Sequence, residues 1–69
     1  MKRIPVDSSN LVSVGYEPST RTLEIEFKGG AVYQYPNIDP KLYKGLISAE
    51  SKGKFFNFFI RSLPAVRVS

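Results

Sequence analysis

Residues 22–35 read TLEIEFKGGAVYQY and carry the clearest secondary-structure signal of the chain. Leu23, Ile25 and Phe27 alternate with polar residues, a pattern that predicts a strand with one buried face and one face in water. Gly29-Gly30 then supplies the positive φ that tight hairpin turns require, and Ala31–Tyr35 read as a further strand ended by a proline. This segment therefore predicts a β-hairpin.

The length of that turn decides where the two tyrosines of the second strand lie. A two-residue turn puts Tyr33 and Tyr35 on the face of the glutamates, whereas a three-residue turn with a left-handed Gly30 puts them on the apolar face. We favour the longer turn because it directs the polar Gln34 to water. Both rings then pack as core beneath the helices; the alternative is an aromatic platform for stacking bases, as in several RNA-binding folds.

A strand also precedes this hairpin, because Val12, Val14 and Tyr16 alternate with small residues. The segment 17–20 that follows has proline where a type I turn prefers it. We predict that Tyr16 pairs with Arg21 across this four-residue loop, which leaves the three apolar side chains on the buried face.

After residue 36 the apolar period changes from two to helical. Asp39-Pro40 is typical of an N-cap followed by proline and predicts a helix over residues 39–48. Ser51 would cap a second helix over residues 51–62, which Pro64 ends. The predicted buried sides are Leu42, Tyr43, Leu46 and Ile47 in the first helix and Phe55, Phe56, Phe59, Ile60 and Leu63 in the second.

We therefore predict an α+β fold that forms one domain over residues 1–69. A three-stranded antiparallel β-meander is followed by two short helices packed on one face of the sheet. A chain of 69 residues has room for one hydrophobic core only.

The composition narrows the function classes. The chain has no Cys and no His, so it lacks disulfides and the usual ligands of zinc, iron and copper, and we predict no metal and no cofactor. No apolar run approaches the roughly 20 residues that span a bilayer, and the N-terminus does not read as a secretory signal. We expect no membrane partner and a cytoplasmic location.

The net charge of +4 lies entirely in the second half of the chain. Acidic and basic residues cancel in residues 1–36, and an anionic partner should therefore meet residues 37–69. The basic residues of that half are Lys41, Lys44, Lys52, Lys54, Arg61 and Arg67, and the acidic ones are Asp39 and Glu50.

The second predicted helix combines basic and aromatic residues on its outer side. At about 100° per residue, Lys54, Asn57 and Arg61 lie opposite the core side, with Phe58 at the edge. Cations for phosphates and a ring for an unpaired base are the ingredients of a nucleic-acid contact. The alternative is an ordinary solvated helix on which Phe58 packs against the C-terminal tail.

Two other groups of residues have side chains that could form a site. Ser51, Lys52 and Gly53 at the helix start form a corner that could hold a phosphate, although a plain helix cap explains the same residues and the P-loop pattern is missing. Glu24 and Glu26 could serve as acid and base, but no activating neighbour is evident. We interpret them as solvent-facing strand residues and expect no enzymatic activity.

Four elements of the sequence, taken in order, resemble the KTSC domain, which is named after the C-terminal extension of some lysyl-tRNA synthetases. These elements are Tyr33-Gln34-Tyr35, Ser51-Lys52-Gly53, Phe56-Asn57 and Ile60-Arg61. The resemblance extends from about Ser9 to Arg61, and the opening Arg3-Ile4-Pro5-Val6 is similar to free-standing single-domain members. It implies a suggested role in RNA binding and no established catalytic activity.

Two function classes stay open. The first is a nucleic-acid-binding module, most plausibly for RNA, that binds phosphates through Lys52, Lys54, Asn57 and Arg61, with Lys41 and Lys44 as further candidates. The second is a protein-interaction module or small homodimer, in which aromatic residues such as Phe58 and Tyr43 bury against a partner. Five phenylalanines and four tyrosines in so short a chain support the second class.

Overall fold

The computed structural model describes all residues, Met1–Ser69, and contains two helices and a five-stranded antiparallel sheet. The strands follow one another in space as they do in the chain: β1 (Ile4–Pro5), β2 (Leu11–Glu17), β3 (Thr22–Phe27), β4 (Val32–Tyr35) and β5 (Val66–Arg67). Helices α1 (Pro40–Ser48) and α2 (Lys52–Phe59) lie between β4 and β5 in the chain. The α+β class and the central meander are confirmed. The predicted number of strands is wrong, because the two edge strands have two residues each and show no period.

The β2–β3 hairpin has a register two residues away from the predicted one. Tyr16 pairs with Leu23, and Arg21 lies in the turn with a φ of 53°. A β-bulge at the start of β2 also shifts the pairing, so that Leu11 is buried in the core in place of Val12. A shift of two residues keeps the side chains of β3, and those of β2 after the bulge, on their predicted faces.

The β3–β4 hairpin has the predicted three-residue turn. Leu23 pairs with Tyr35 and Ile25 pairs with Tyr33, while Gly30 has a φ of 99°. Both tyrosines therefore lie on the face of the sheet that the helices cover. The opposite side, which we call the open face, carries the glutamates of β3.

The two helices begin at the predicted caps. The Asp39 side chain accepts a hydrogen bond from the N–H of Lys41, and Ser51 caps α2. The core that the helices close against the sheet consists of Leu11, Val14, Leu23, Ile25, Tyr35, Ile38, Leu46, Phe56 and Ile60. Neither helix is long or apolar enough to cross a membrane.

The C-terminal part of α2 differs from its prediction. The helix ends at Phe59, and two residues expected in the core, Phe59 and Leu63, are 53% and 36% exposed. Phe56 and Ile60 occupy the side that faces the sheet, so Phe59 is left at the flank of the helix. Leu63 lies beyond the helix end, where helical spacing no longer determines which way a side chain points.

Candidate nucleic-acid interface

The outer side of α2 and the turn after it form a surface of mixed basic and aromatic character. We call this the α2 surface and define it as Lys54, Asn57, Phe58 and Arg61, all of which are exposed. Phe58 is 84% exposed, so it does not pack on the C-terminal tail. The N–H of Arg61 donates to the carbonyl of Phe56 at 2.9 Å, which keeps Arg61 against the last turn of the helix. Lys54, Asn57 and Phe58 thus share one side of α2, and the exposed Arg61 follows in the turn directly after the helix.

Acidic side chains do not neutralise these cations. The ion pairs of the structure join Arg3 to Glu24 at 2.7 Å and to Glu26 at 3.7 Å, on the open face. Lys54 and Arg61 form no ion pair, and the same holds for Lys41 and Lys44, which are exposed on α1. The positive charge of the second half of the chain is therefore available to an anion from solution.

Lys52 differs from the other lysines because its ammonium group is engaged within the fold. Its Nζ donates to the carbonyl of Ala49 at 3.1 Å, at the C-terminal end of α1. A cation at this position stabilises a helix, because the last carbonyls carry partial negative charge. The bond gives Lys52 a structural role, and its contact with a phosphate stays a prediction.

The first turn of α2 is packed against the loop before β2, which contains Ser8 and Asn10. The Ser51 hydroxyl accepts from the N–H of Lys54 at 3.3 Å, as a cap does. At Gly53, a Cβ would lie 2.8 Å from Oδ1 of Asn10, so glycine permits this close approach. Ser8, whose hydroxyl accepts from the N–H of Asn10 at 3.4 Å, holds the loop in place, and its position before a strand is the signal that could have revealed it. Side-chain oxygens thus occupy part of the corner proposed for an anion.

The tyrosines of β4 and α1 have neighbours in the fold. Tyr35 is 4% exposed, and burial raises the pKa of its phenol. Tyr33 is partly buried with its ring edge-on to Phe27 at 5.8 Å, and Tyr43 stacks on Tyr16 at 4.8 Å. Tyr35 therefore belongs to the core, and the β4 tyrosines do not form an open platform.

Glu24 on the open face is not the solvent-facing residue that we expected. It is 8% exposed, and its carboxylate accepts hydrogen bonds from Gln34 at 2.8 Å and from Arg3 at 2.7 Å. The bond from Gln34 and then the bond and charge of Arg3 lower the pKa of Glu24, although burial acts in the opposite direction. Both carboxylate oxygens are engaged, so Glu24 has a structural role.

A comparison of the sequence with known protein families identifies the family of this chain. Residues 7–62 match the KTSC domain. The chain belongs to the KTSC domain family. A crystal structure of a KTSC domain protein from Yersinia pestis has a TM-score of 0.92 and 37% sequence identity, over 99% of this chain and 97% of that one. The likeness thus extends to the edge strands of this KTSC domain, outside the matched residues.

Relatives of this KTSC domain occur in two settings. An uncharacterized protein from Stutzerimonas stutzeri is 44% identical over 57 residues, which make up 83% of this chain and 80% of that protein. A lysine–tRNA ligase from Nostoc punctiforme is 42% identical over 55 residues, which make up 80% of this chain and 10% of the ligase. The domain is therefore found both as most of a small protein and as a small segment of a ligase.

Proposed function

We propose that this KTSC domain is a small, non-catalytic RNA-binding module that acts in the cytoplasm. The observation that carries the proposal is the α2 surface, where Lys54 and Arg61 are exposed, lack acidic partners, and precede and follow the exposed Phe58 in the chain. RNA is favoured over DNA because a related segment belongs to a lysine–tRNA ligase.

Phosphate contacts supply most of the binding energy in this proposal. Lys54 and Arg61 bind neighbouring phosphates of one strand, and the exposed Lys41 and Lys44 of α1 are further candidates for phosphate contacts. Each neutralised phosphate releases counterions, so the logarithm of the affinity falls linearly with the logarithm of the salt concentration. Asn57 contributes a hydrogen bond without a charge and leaves this slope unaffected.

The test is a titration of RNA at several salt concentrations with variants that each remove one charge. Lys54→Gln and Arg61→Gln should each weaken binding to all RNA sequences and reduce the salt slope by about 0.7–1. Lys2→Gln is the matched control, because it removes one exposed cation from the neutral half of the chain. Melting curves must accompany the Arg61 variant, since a long arginine stem also contributes packing.

Two results would contradict the proposal. One is an equal loss of salt dependence in Lys2→Gln and Lys54→Gln, which would mean that net charge alone matters. The other is the absence of salt-dependent affinity for single-stranded RNA, structured RNA and duplex DNA. If sedimentation then reveals a dimer that Phe58→Ser dissociates, the domain is a protein-interaction module.

A further inference from the structure

Three phenylalanines form a row along the flank of α2. The rings of Phe58 and Phe59 have centroids 5.7 Å apart, and those of Phe59 and Phe55 have centroids 4.7 Å apart. Phe58 and Phe59 are exposed, whereas Phe55 is half-buried and packs against the core. We call this row the aromatic ladder. Its inner end is fixed by the fold, and its outer two rings are open to solvent.

The fold does not require the outer rings of the ladder. Phe56 and Ile60 hold α2 on the sheet, and Phe56 meets the rings of Phe27 and Tyr35 edge-on at 5.3 and 5.9 Å. Two phenylalanines that stay in water at the surface of a small domain lose the stabilisation that burial would provide. Because the two exposed rings are adjacent, they form a contiguous apolar patch of the kind that occurs at interaction sites.

The charge around the ladder identifies the chemistry of its ligand. Lys54 shares the helix side of Phe58, Arg61 lies in the turn directly after α2, and neither cation forms an ion pair. A purely apolar partner surface would have to desolvate these cations without compensation. A nucleic-acid strand provides both complements, because its phosphates pair with the cations and its bases present flat faces to the rings.

The convex shape of the helix surface favours unpaired bases over paired ones as the ligand. In a duplex the base faces are covered by their neighbours in the stack, so side chains that project from a convex helix meet only backbone and groove edges. We infer that the aromatic ladder binds unpaired bases of single-stranded RNA, one on Phe58 and one on Phe59, while the flanking cations hold the phosphates. This inference rests on the proposed function, since it specifies the ligand of the same surface.

The test compares a single-stranded RNA, the same strand annealed to its complement, and the same strand with abasic positions. The wild-type domain should bind the single strand at least about tenfold more tightly than the other two, because one stacked base contributes about that factor. Phe58→Ala and Phe59→Ala should each weaken single-strand binding about tenfold without changing the salt slope. Phe58→Tyr should retain the single-strand affinity. Leu63→Ala, at an exposed apolar residue outside the ladder, is the control.

The outcomes separate this inference from the proposed function. Equal affinity for the single strand, the duplex and the abasic strand, with Lys54→Gln still reducing the salt slope, would overturn the ladder and leave the phosphate contacts standing. Retained affinity in Phe58→Ala and Phe59→Ala would do the same. If the folded wild-type domain binds no nucleic acid, both the ladder inference and the proposed function are wrong.

Discussion

At the scale of single residues, Glu24 shows how side chains distant in sequence allow a carboxylate to be buried. Glu24 lies on the central strand β3 opposite Gln34, whose amide donates to it across the sheet. Arg3, 21 residues away in the sequence, reaches the second oxygen. These two donors compensate the loss of water around a charged group, which would otherwise be costly to bury.

This arrangement predicts a pH-dependent stability. Because the pKa of Glu24 in the folded state is below its ordinary value of 4.5, the ionised carboxylate stabilises the fold fully above that value. The contribution is lost as the pH falls below 4.5 and through the folded value. Glu24→Gln should lower the free energy of unfolding by about 1–3 kcal/mol at neutral pH, and the difference from wild type should shrink in acid.

Urea denaturation of both proteins at neutral pH and at acidic pH measures this difference. Glu50→Gln, at an exposed carboxyl without an ion pair, is the matched control for the change of charge. A gap between wild type and Glu24→Gln that is as large in acid as at neutrality would contradict the account. The alternation of β3 placed Glu24 on the outer face correctly, but no local pattern identifies Arg3 as its partner.

At the scale of elements, α2 agrees with its sequence prediction at its N-terminus and differs from it at its C-terminus. The cap at Ser51 and the positions of Phe56 and Ile60 follow from spacing, because caps and helical periodicity depend on neighbouring residues. The exposure of Phe59 does not follow, because it depends on how the helix is seated on the sheet and where it ends. The bulge in β2 was missed for the same reason, since it depends on the pairing of two strands.

Two variants of this helix should therefore differ greatly in stability. Phe56→Ala removes a core ring and should lower the free energy of unfolding by about 3–5 kcal/mol, enough to unfold a marginal domain. Phe58→Ala removes an exposed ring from the same helix and should change it by about 0.5 kcal/mol or less. Thermal melts of the two proteins, followed by circular dichroism, make the comparison. A large loss of stability in Phe58→Ala would mean that its ring packs within the fold and cannot serve as a free ligand surface.

At the scale of the whole molecule, the sequence predicted the composition of the candidate surface better than it predicted the edges of the sheet. Lys54 and Asn57 share one side of α2 by spacing alone, whereas Arg61, predicted on the same helix, lies in the turn after its end. The excess of positive charge follows from counting residues. Strands β1 and β5 leave no comparable signal, because two residues cannot establish a period. The aromatic ladder was missed because Phe59 was assigned to the core, whereas Phe55, also assigned there, does pack against it.

Strand β5 covers one edge of the central meander. The N–H of Val32 donates to the carbonyl of Ser69 at 3.1 Å, and the N–H of Val68 donates to the carbonyl of Val32 at 2.8 Å. Every residue of the core cluster lies between Leu11 and Ile60, so a chain that ends at Ala65 should still fold cooperatively. It should lose about 1–2 kcal/mol of stability, because Val32 becomes more exposed and its hydrogen bonds are lost.

Amide hydrogen exchange locates this effect within the sheet. In the shortened chain the N–H of Val32 should exchange much faster, because its acceptor is gone. The N–H of Phe27, which donates to Ala31 at 2.8 Å inside the β3–β4 hairpin, should keep its protection relative to global unfolding and is the internal control. Equal acceleration at both amides would mean that the loss of β5 loosens the whole domain. In that case the edge strand would be part of the cooperative core, and the domain would need more than residues 7–62 to hold the α2 surface in place.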